Sequence, residues 1–364
     1  MMNGKQLQIF FDFLRFCIGS SKDIPSSLKE ADWKELYAIA QKQCLVGVLF
    51  DGIKKLPAEQ VGMKKGLLLQ WMAESQMLEK ANVRLNDAAI LVSEWFRKKG
   101  FRTCILKGQG NALMYPNPYS RTPGDIDIWV EGGDKRVISF VRSISPHEKA
   151  CYHHIEFPSY KGVEVEVHYR PSFLLCFWHN RKLQKYYERV KDEQFSHRVM
   201  LGEQGEIAIP TVEFNLIFQL THIYAHLMNE GIGLRQLLDY YYVLLMLRVN
   251  CEMLTSLQKE LKELGLWKFA GAIMYIMQEV FGVPASRLIV PPNEKYGRFV
   301  LNEVLEAGNF GRHDARNWFD RSQLGHNLQR VYRDIRLVKY FPAEALSEPL
   351  FRVWHFFWRL KHRR

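Results

Sequence analysis

The 364-residue chain has no Cys-x-x-Cys pair, no long apolar run, no internal repeat and no low-complexity linker. Each absence removes a class. Six cysteines (Cys17, Cys44, Cys104, Cys151, Cys176 and Cys251) stand singly in apolar surroundings, which excludes a zinc ribbon and reads as reduced core residues. The best apolar run, Leu237 to Leu247, is broken by Asp239 and falls short of a membrane span. The start, Met1 to Leu7, lacks the basic-then-apolar pattern of a signal peptide, so a cytoplasmic location is expected by default. Without a repeat, solenoid and propeller architectures fall away. Acidic residues are also in short supply: 39 against 50 basic ones, a net charge of +11. From Arg312 to the end, twelve Lys/Arg face five Asp/Glu, so that stretch alone carries +7. Such a tilt suits an anionic partner, whether nucleic acid, a nucleotide-bearing substrate or an acidic lipid surface, although many basic proteins have none.

What remains is an ordinary globular composition, 47% hydrophobic and 24% charged, with ample chain for a buried core. Residues 1–98 read as helical. Apolar residues recur at helical spacing from Leu7 to Phe16 and again after Asp32, an acceptable N-cap. A long helix is expected over 63–98, ending in Arg97-Lys98-Lys99 with Gly100 at C′. Residues 99–209 are mixed, with strands expected at 101–106, 125–130, 152–157, 162–169 and 206–209 and a helix at 134–143. Residues 210–364 return to amphipathic helices. The fold class expected is α+β: a small mixed sheet flanked by N-terminal helices and a larger C-terminal helical region.

The chemistry gathers between Leu106 and Val130. In Gly124-Asp125-Ile126-Asp127-Ile128-Trp129-Val130 the apolar residues alternate with Asp125, Asp127 and Trp129, as in a strand. A period of two sends both aspartates to one face, where they repel unless a cation sits between them. A solvent-facing strand edge is the plain alternative; a divalent metal is the functional one. Three neighbours favour the metal. Gly108 and Gly110 follow a strand and open a helix, a geometry that brings backbone N–H groups to phosphate. Lys107 and Arg121 bracket the segment with positive charge. Downstream, Glu164, Glu166 and His168 alternate with Val163, Val165 and Val167, so a second strand presents acids on one face.

Leu106-Lys107-Gly108, Tyr115-Pro116, Arg121 and Asp125-Ile126-Asp127 resemble the signature of the nucleotidyltransferase superfamily, and most closely its poorly characterised bacterial branch. Gly108 matches the first glycine of that pattern, and Gln109 stands where Gly or Ser is usual. The resemblance implies transfer of an NMP group from an NTP, ATP among them, to a hydroxyl acceptor with release of pyrophosphate. It implies Mg2+ (or Mn2+) bound by Asp125, Asp127 and a third acid, for which Glu166 is the best match and Glu164 the substitute. Lys107, Gly108, Gly110 and Arg121 are expected to hold the triphosphate. His168, on the face of Glu166, either orients substrate or hydrogen-bonds at the sheet surface. Arg235 and Asp239, an i,i+4 pair, resemble a recurrent feature of the branch's helical half near the active-site mouth. The acceptor is left open among a small molecule, a protein and RNA. The other class of reading is a catalytically silent nucleotide-binding protein, or a nucleic-acid or surface interaction protein.

Two histidine pairs carry less. His222 and His226 share a helical face, but no glutamate follows His222, so the zinc-protease pattern fails and a hydrogen-bonded pair is expected. Adjacent strand residues face opposite ways, so His153 and His154 are not expected to form a joint metal site. The aromatic, basic tail from Phe351 onward is expected to dock on the core with its charged end in water.

Overall fold

The structure, a computed structural model, describes residues 4–57, 59, 61–203, 205–248, 250–316 and 323–362. Helices α1 (Gly4–Ile18), α2 (Trp33–Lys42), α3 (Val46–Ile53) and α4 (Lys65–Lys98) lead into β1 (Thr103–Ile105), the single turn α5 (Gln109–Ala112), β2 (Ile126–Val130) and α6 (Gly133–Ile144). There follow β3 (His154–Tyr160), β4 (Val163–His168), α7 (Phe177–Ser196), β5 (Arg198–Leu201) and β6 (Gly205–Ala208). The remainder is α8 (Val212–Asn229), α9 (Leu234–Met246), α10 (Cys251–Glu263), α11 (Trp267–Glu279), α12 (Glu294–Ala307), α13 (Gln323–Val338) and α14 (Pro342–Lys361). The protein is α+β, a small mixed sheet among many helices.

Local chemistry explains the boundaries. Asp32 caps α2, its carboxylate accepting from the N–H groups of Lys34 and Glu35. Strand β3 runs on to Tyr160, and a two-residue turn at Lys161 and Gly162, both with positive φ, returns the chain into β4. The stretch between Tyr169 and Glu206, to which the sequence assigns no element, holds the 20-residue α7 and the strand β5. Strand β5 pairs with β6 as a separate hairpin.

The main sheet has the order β1-β2-β4-β3, with β2 and β4 parallel and the outer pairs antiparallel. One face is apolar: Ile126, Ile128 and Val130 of β2 and Val163, Val165 and Val167 of β4 pack with Ala88, Ala89 and Phe96 of α4 and Val137 and Val141 of α6. On the opposite face Trp129 stacks on Phe214 of α8 and tilts against Phe195 of α7. Every residue of β2 is therefore buried, including Asp127. A second apolar cluster joins α1, α2 and α3 to α8, α9, α11 and α12, so the N-terminal and C-terminal helices share one core.

Helix α14 docks with Phe351 stacked on Phe173 and His355 Nε2 accepting from the backbone N–H of Tyr152. The expected docking is thus present on one face. The other face exposes Leu346, Leu350, Val353, Phe357 and Leu360.

Candidate active site

The parallel register of β2 and β4 sets Asp127 beside Glu166 and Trp129 beside His168. Neighbouring strands lie about 4.8 Å apart, so side chains on the same face meet directly. Asp125, one residue before β2, joins them. Asp125, Asp127 and Glu166 each bring a carboxylate oxygen within 4.8 Å of the others. Glu164 sits on the same strand but is exposed and outside this group.

Positive charge converges on Asp127. Its Oδ1 takes Lys107 Nζ at 2.9 Å and His168 Nε2 at 2.9 Å. Lys107 also meets His222 Nε2 of α8 at 3.2 Å. Glu166 lies between two imidazoles, 3.1 Å from His154 Nδ1 and 3.4 Å from His168 Nε2. No cation lies within 4.0 Å of Asp125 among the described residues.

These contacts divide the carboxylates by pKa. The charge of Asp127, then burial, pushes Asp125 above its usual value. Burial would raise Asp127 as well, but Lys107 and His168 outweigh it and hold that carboxyl well below the usual range. Glu166 is lowered: burial works against ionisation, and the hydrogen bond from His168 outweighs it. Burial pulls His168 down, yet its bonds to Asp127 and Glu166 push it up to about 9. Burial and Asp127 act in opposite directions on Lys107, whose pKa ends above normal. His153 and His222 lie well below their usual value, and His154 falls to about 4, in each case through burial first.

The other sequence-derived residues are placed as follows. Gly108 lines a small recess beside Asp125 and has φ +61° and ψ −107°, a conformation side chains other than glycine's resist. Gly110 is buried, and a Cβ there would press on Ile209 at 2.9 Å, so its smallness serves packing. Arg121 is buried in a bidentate pair with Asp239: Nε to Oδ1 at 2.8 Å and Nη2 to Oδ2 at 2.7 Å. Tyr115 donates to the same Oδ1 at 2.7 Å. The partner of Asp239 is thus Arg121, and Arg235 instead donates to the Thr122 carbonyl at 3.0 Å. This differs from the expected i,i+4 pair, because the Arg121 guanidinium takes both carboxylate oxygens of Asp239 in a bidentate fork.

His153 and His154 do meet, with Nε2 and Nδ1 3.1 Å apart. The alternation rule does not reach them, since β3 begins at His154 and His153 precedes it. His222 and His226 lie edge to face with ring centroids 4.3 Å apart, but their polar partners differ: His222 meets Lys107, and His226 pairs with Glu230 at 3.4 Å.

A cleft of about 660 Å³ opens over the carboxylates. Strands β2 and β4 form its floor and α8 one side. The lining also includes Phe310, Arg312, Arg330, Phe351 and Arg352, to which the sequence assigned no place in the site. Arg352 pairs with Glu348. Arg312 and Arg330 have no ion pair within 4.0 Å among the described residues. The surplus of basic residues after Arg312 is the signal that could have pointed to this part of the lining.

A family model described as uncharacterised nucleotidyltransferase matches residues 29–282. No curated protein matches the chain. Among solved structures, an antigenic nucleotidyltransferase-like protein from Paracoccidioides brasiliensis is similar at 14% identity and a TM-score of 0.34, over 59% of this chain and 96% of that one. With the family model spanning more than two thirds of its length, the chain belongs to the uncharacterised nucleotidyltransferase family.

Proposed function

We propose that the protein transfers a nucleotidyl group from a nucleoside triphosphate to a hydroxyl acceptor at Asp125, Asp127 and Glu166. The observation that carries this is the meeting of three carboxylates from two parallel strands at one end of an open cleft. The donor set fits a hard divalent cation, Mg2+ or Mn2+: Asp125 has no cationic partner among the described residues, and Asp127 engages Lys107 and His168 through Oδ1 alone. When bound there, the metal would supply charge neutralisation at the phosphate and a lowered pKa for the attacking hydroxyl.

The chain's own groups do the rest. Lys107 and His168 keep Asp127 ionised and fix its orientation. Glu166, also held ionised, stands where it can take the proton of the acceptor hydroxyl. Gly108 N–H and Lys107 meet the phosphates from the floor. Arg121, Arg235 and Asp239 brace the loop that carries Asp125, and Gly110 packs against Ile209. Arg312 and Arg330 face the same cleft without an ion pair among the described residues, and their charge suits the β- and γ-phosphates.

The test is incubation with each of the four NTPs and Mg2+ or Mn2+, following pyrophosphate and identifying nucleotidylated products by mass spectrometry. Turnover present in the wild type and absent in Asp125→Asn supports the assignment; equal signals from both proteins would overturn it.

A further inference from the structure

Glu166 belongs to a second group of possible ligands, with His154 and His168, whose donor atoms also lie within 4.8 Å of one another. His168 is buried, and its Nδ1 faces the Arg170 carbonyl at 3.3 Å. That contact holds the Nδ1 proton and fixes the ring, the outer-shell arrangement that orients metal-ligating histidines, so an ion at Nε2 would displace only the Nε2 proton. Nε2–H donates to Asp127 Oδ1 at 2.9 Å and faces Glu166 Oε2 at 3.4 Å. His154 Nδ1 approaches the same Oε2 at 3.1 Å, with His153 Nε2 behind it at 3.1 Å and Cys151 Sγ 3.4 Å from the His153 ring.

The separations are informative. Ligands bound about 2.1 Å from an ion stand about 3.0–3.4 Å from each other, from right-angle to tetrahedral arrangement. The His154–Glu166, His168–Asp127 and His168–Glu166 distances fall in or close to that range, and the two histidine nitrogens lie within 4.8 Å of each other. Two imidazole nitrogens and a carboxylate do not suit Mg2+, which keeps to oxygen, but they suit Mn2+, Fe2+, Co2+ and Zn2+.

We propose that His154, His168 and Glu166 form a second metal position, chemically unlike the all-carboxylate one, that takes a borderline divalent transition ion. It rests on the reading of Glu166 as a ligand of the transfer site, which it shares. The two positions then differ in kind: Asp125 and Asp127 bind the hard ion on the recess side, and the histidines bind the softer one at the β3 edge.

The experiment uses the full chain, stripped with chelator and titrated with Mn2+, and reads 14N coupling by pulsed electron paramagnetic resonance. Imidazole coupling is expected in the wild type and in Asp125→Asn, and should weaken in His154→Gln and in His168→Gln and disappear when both are replaced. Circular dichroism checks that each variant folds, and the more accessible His154 decides the question if His168→Gln does not fold. Mn2+ with no 14N coupling in the wild type, or coupling unchanged in His154→Gln, would overturn the proposal. Coupling without pyrophosphate release from any NTP upholds the metal position and refutes the transfer reading. Release with Mn2+ ligated by oxygen alone does the reverse.

Discussion

Replacing Asp239 by Asn tests whether the Arg121 contact is a structural strut. Asp239 accepts both arms of the Arg121 guanidinium and the Tyr115 hydroxyl, and Arg121 is only 4% exposed. A second buried guanidinium, Arg235, adds its field to the same carboxylate. Removing the negative charge leaves two buried cations with no anion between them. Breaking a buried ion pair from one side costs about 3–5 kcal/mol. Unfolding entropy of about 2.1 cal/mol/K per residue gives this 364-residue chain about 0.8 kcal/mol/K, so Tm should fall by about 4–7 °C. Scanning calorimetry of wild type and Asp239→Asn reads that shift directly. The double variant Arg121→Met with Asp239→Leu should recover part of the loss, because the Arg121 charge is then no longer left unpaired, although Arg235 still lacks the anion. A single variant melting within about 1 °C of wild type, well short of the shift expected from the pair, would refute the strut.

Three further outcomes follow from the same contacts. Asp125→Asn should abolish transfer while leaving Tm of the metal-free protein equal or slightly higher, since it removes the repulsion that raises the Asp125 pKa; a drop in Tm contradicts that electrostatic account. Arg312→Gln with Arg330→Gln should raise KM for the triphosphate about tenfold or more with kcat largely kept, as expected for lost ground-state binding; steady-state kinetics showing the reverse split would move those arginines into the transition state. Asp334, buried beside Glu348 between α13 and α14, has its pKa raised from 3.8 to about 7, through burial and then the Glu348 charge. The folded state holds that proton across the interval, so the contribution to stability is full below 3.8 and is lost as pH rises through about 7. Asp334→Asn should therefore raise Tm at pH 8 and not at pH 4, and equal shifts at both would remove Asp334 as the cause.

Much of the site is legible in local pattern, because period-two alternation is a property of a few consecutive residues. Asp125, Asp127, Glu166 and His168 appear together on one sheet face for that reason. What joins them is not: the parallel register that sets Asp127 beside Glu166 depends on a crossover between the strands. The same limit hides the partner of Arg121, which lies 118 residues away, while the nearer Arg235 offers Asp239 a simpler match. Helix α7 leaves a faint trace because its buried face mixes Leu183, Tyr186, Tyr187 and Phe195 with Asn180 and Gln194, which blurs the apolar stripe. The two adjacent histidines escape a strand rule that begins to apply one residue too late.

One wall of the cleft comes from Phe310 onward, whereas the segment shared with the family stops at residue 282. The three carboxylates and their immediate supports lie within that segment, and the surface that faces them lies beyond it. A change in that wall would reshape the opening over the carboxylates without moving the strands that hold them.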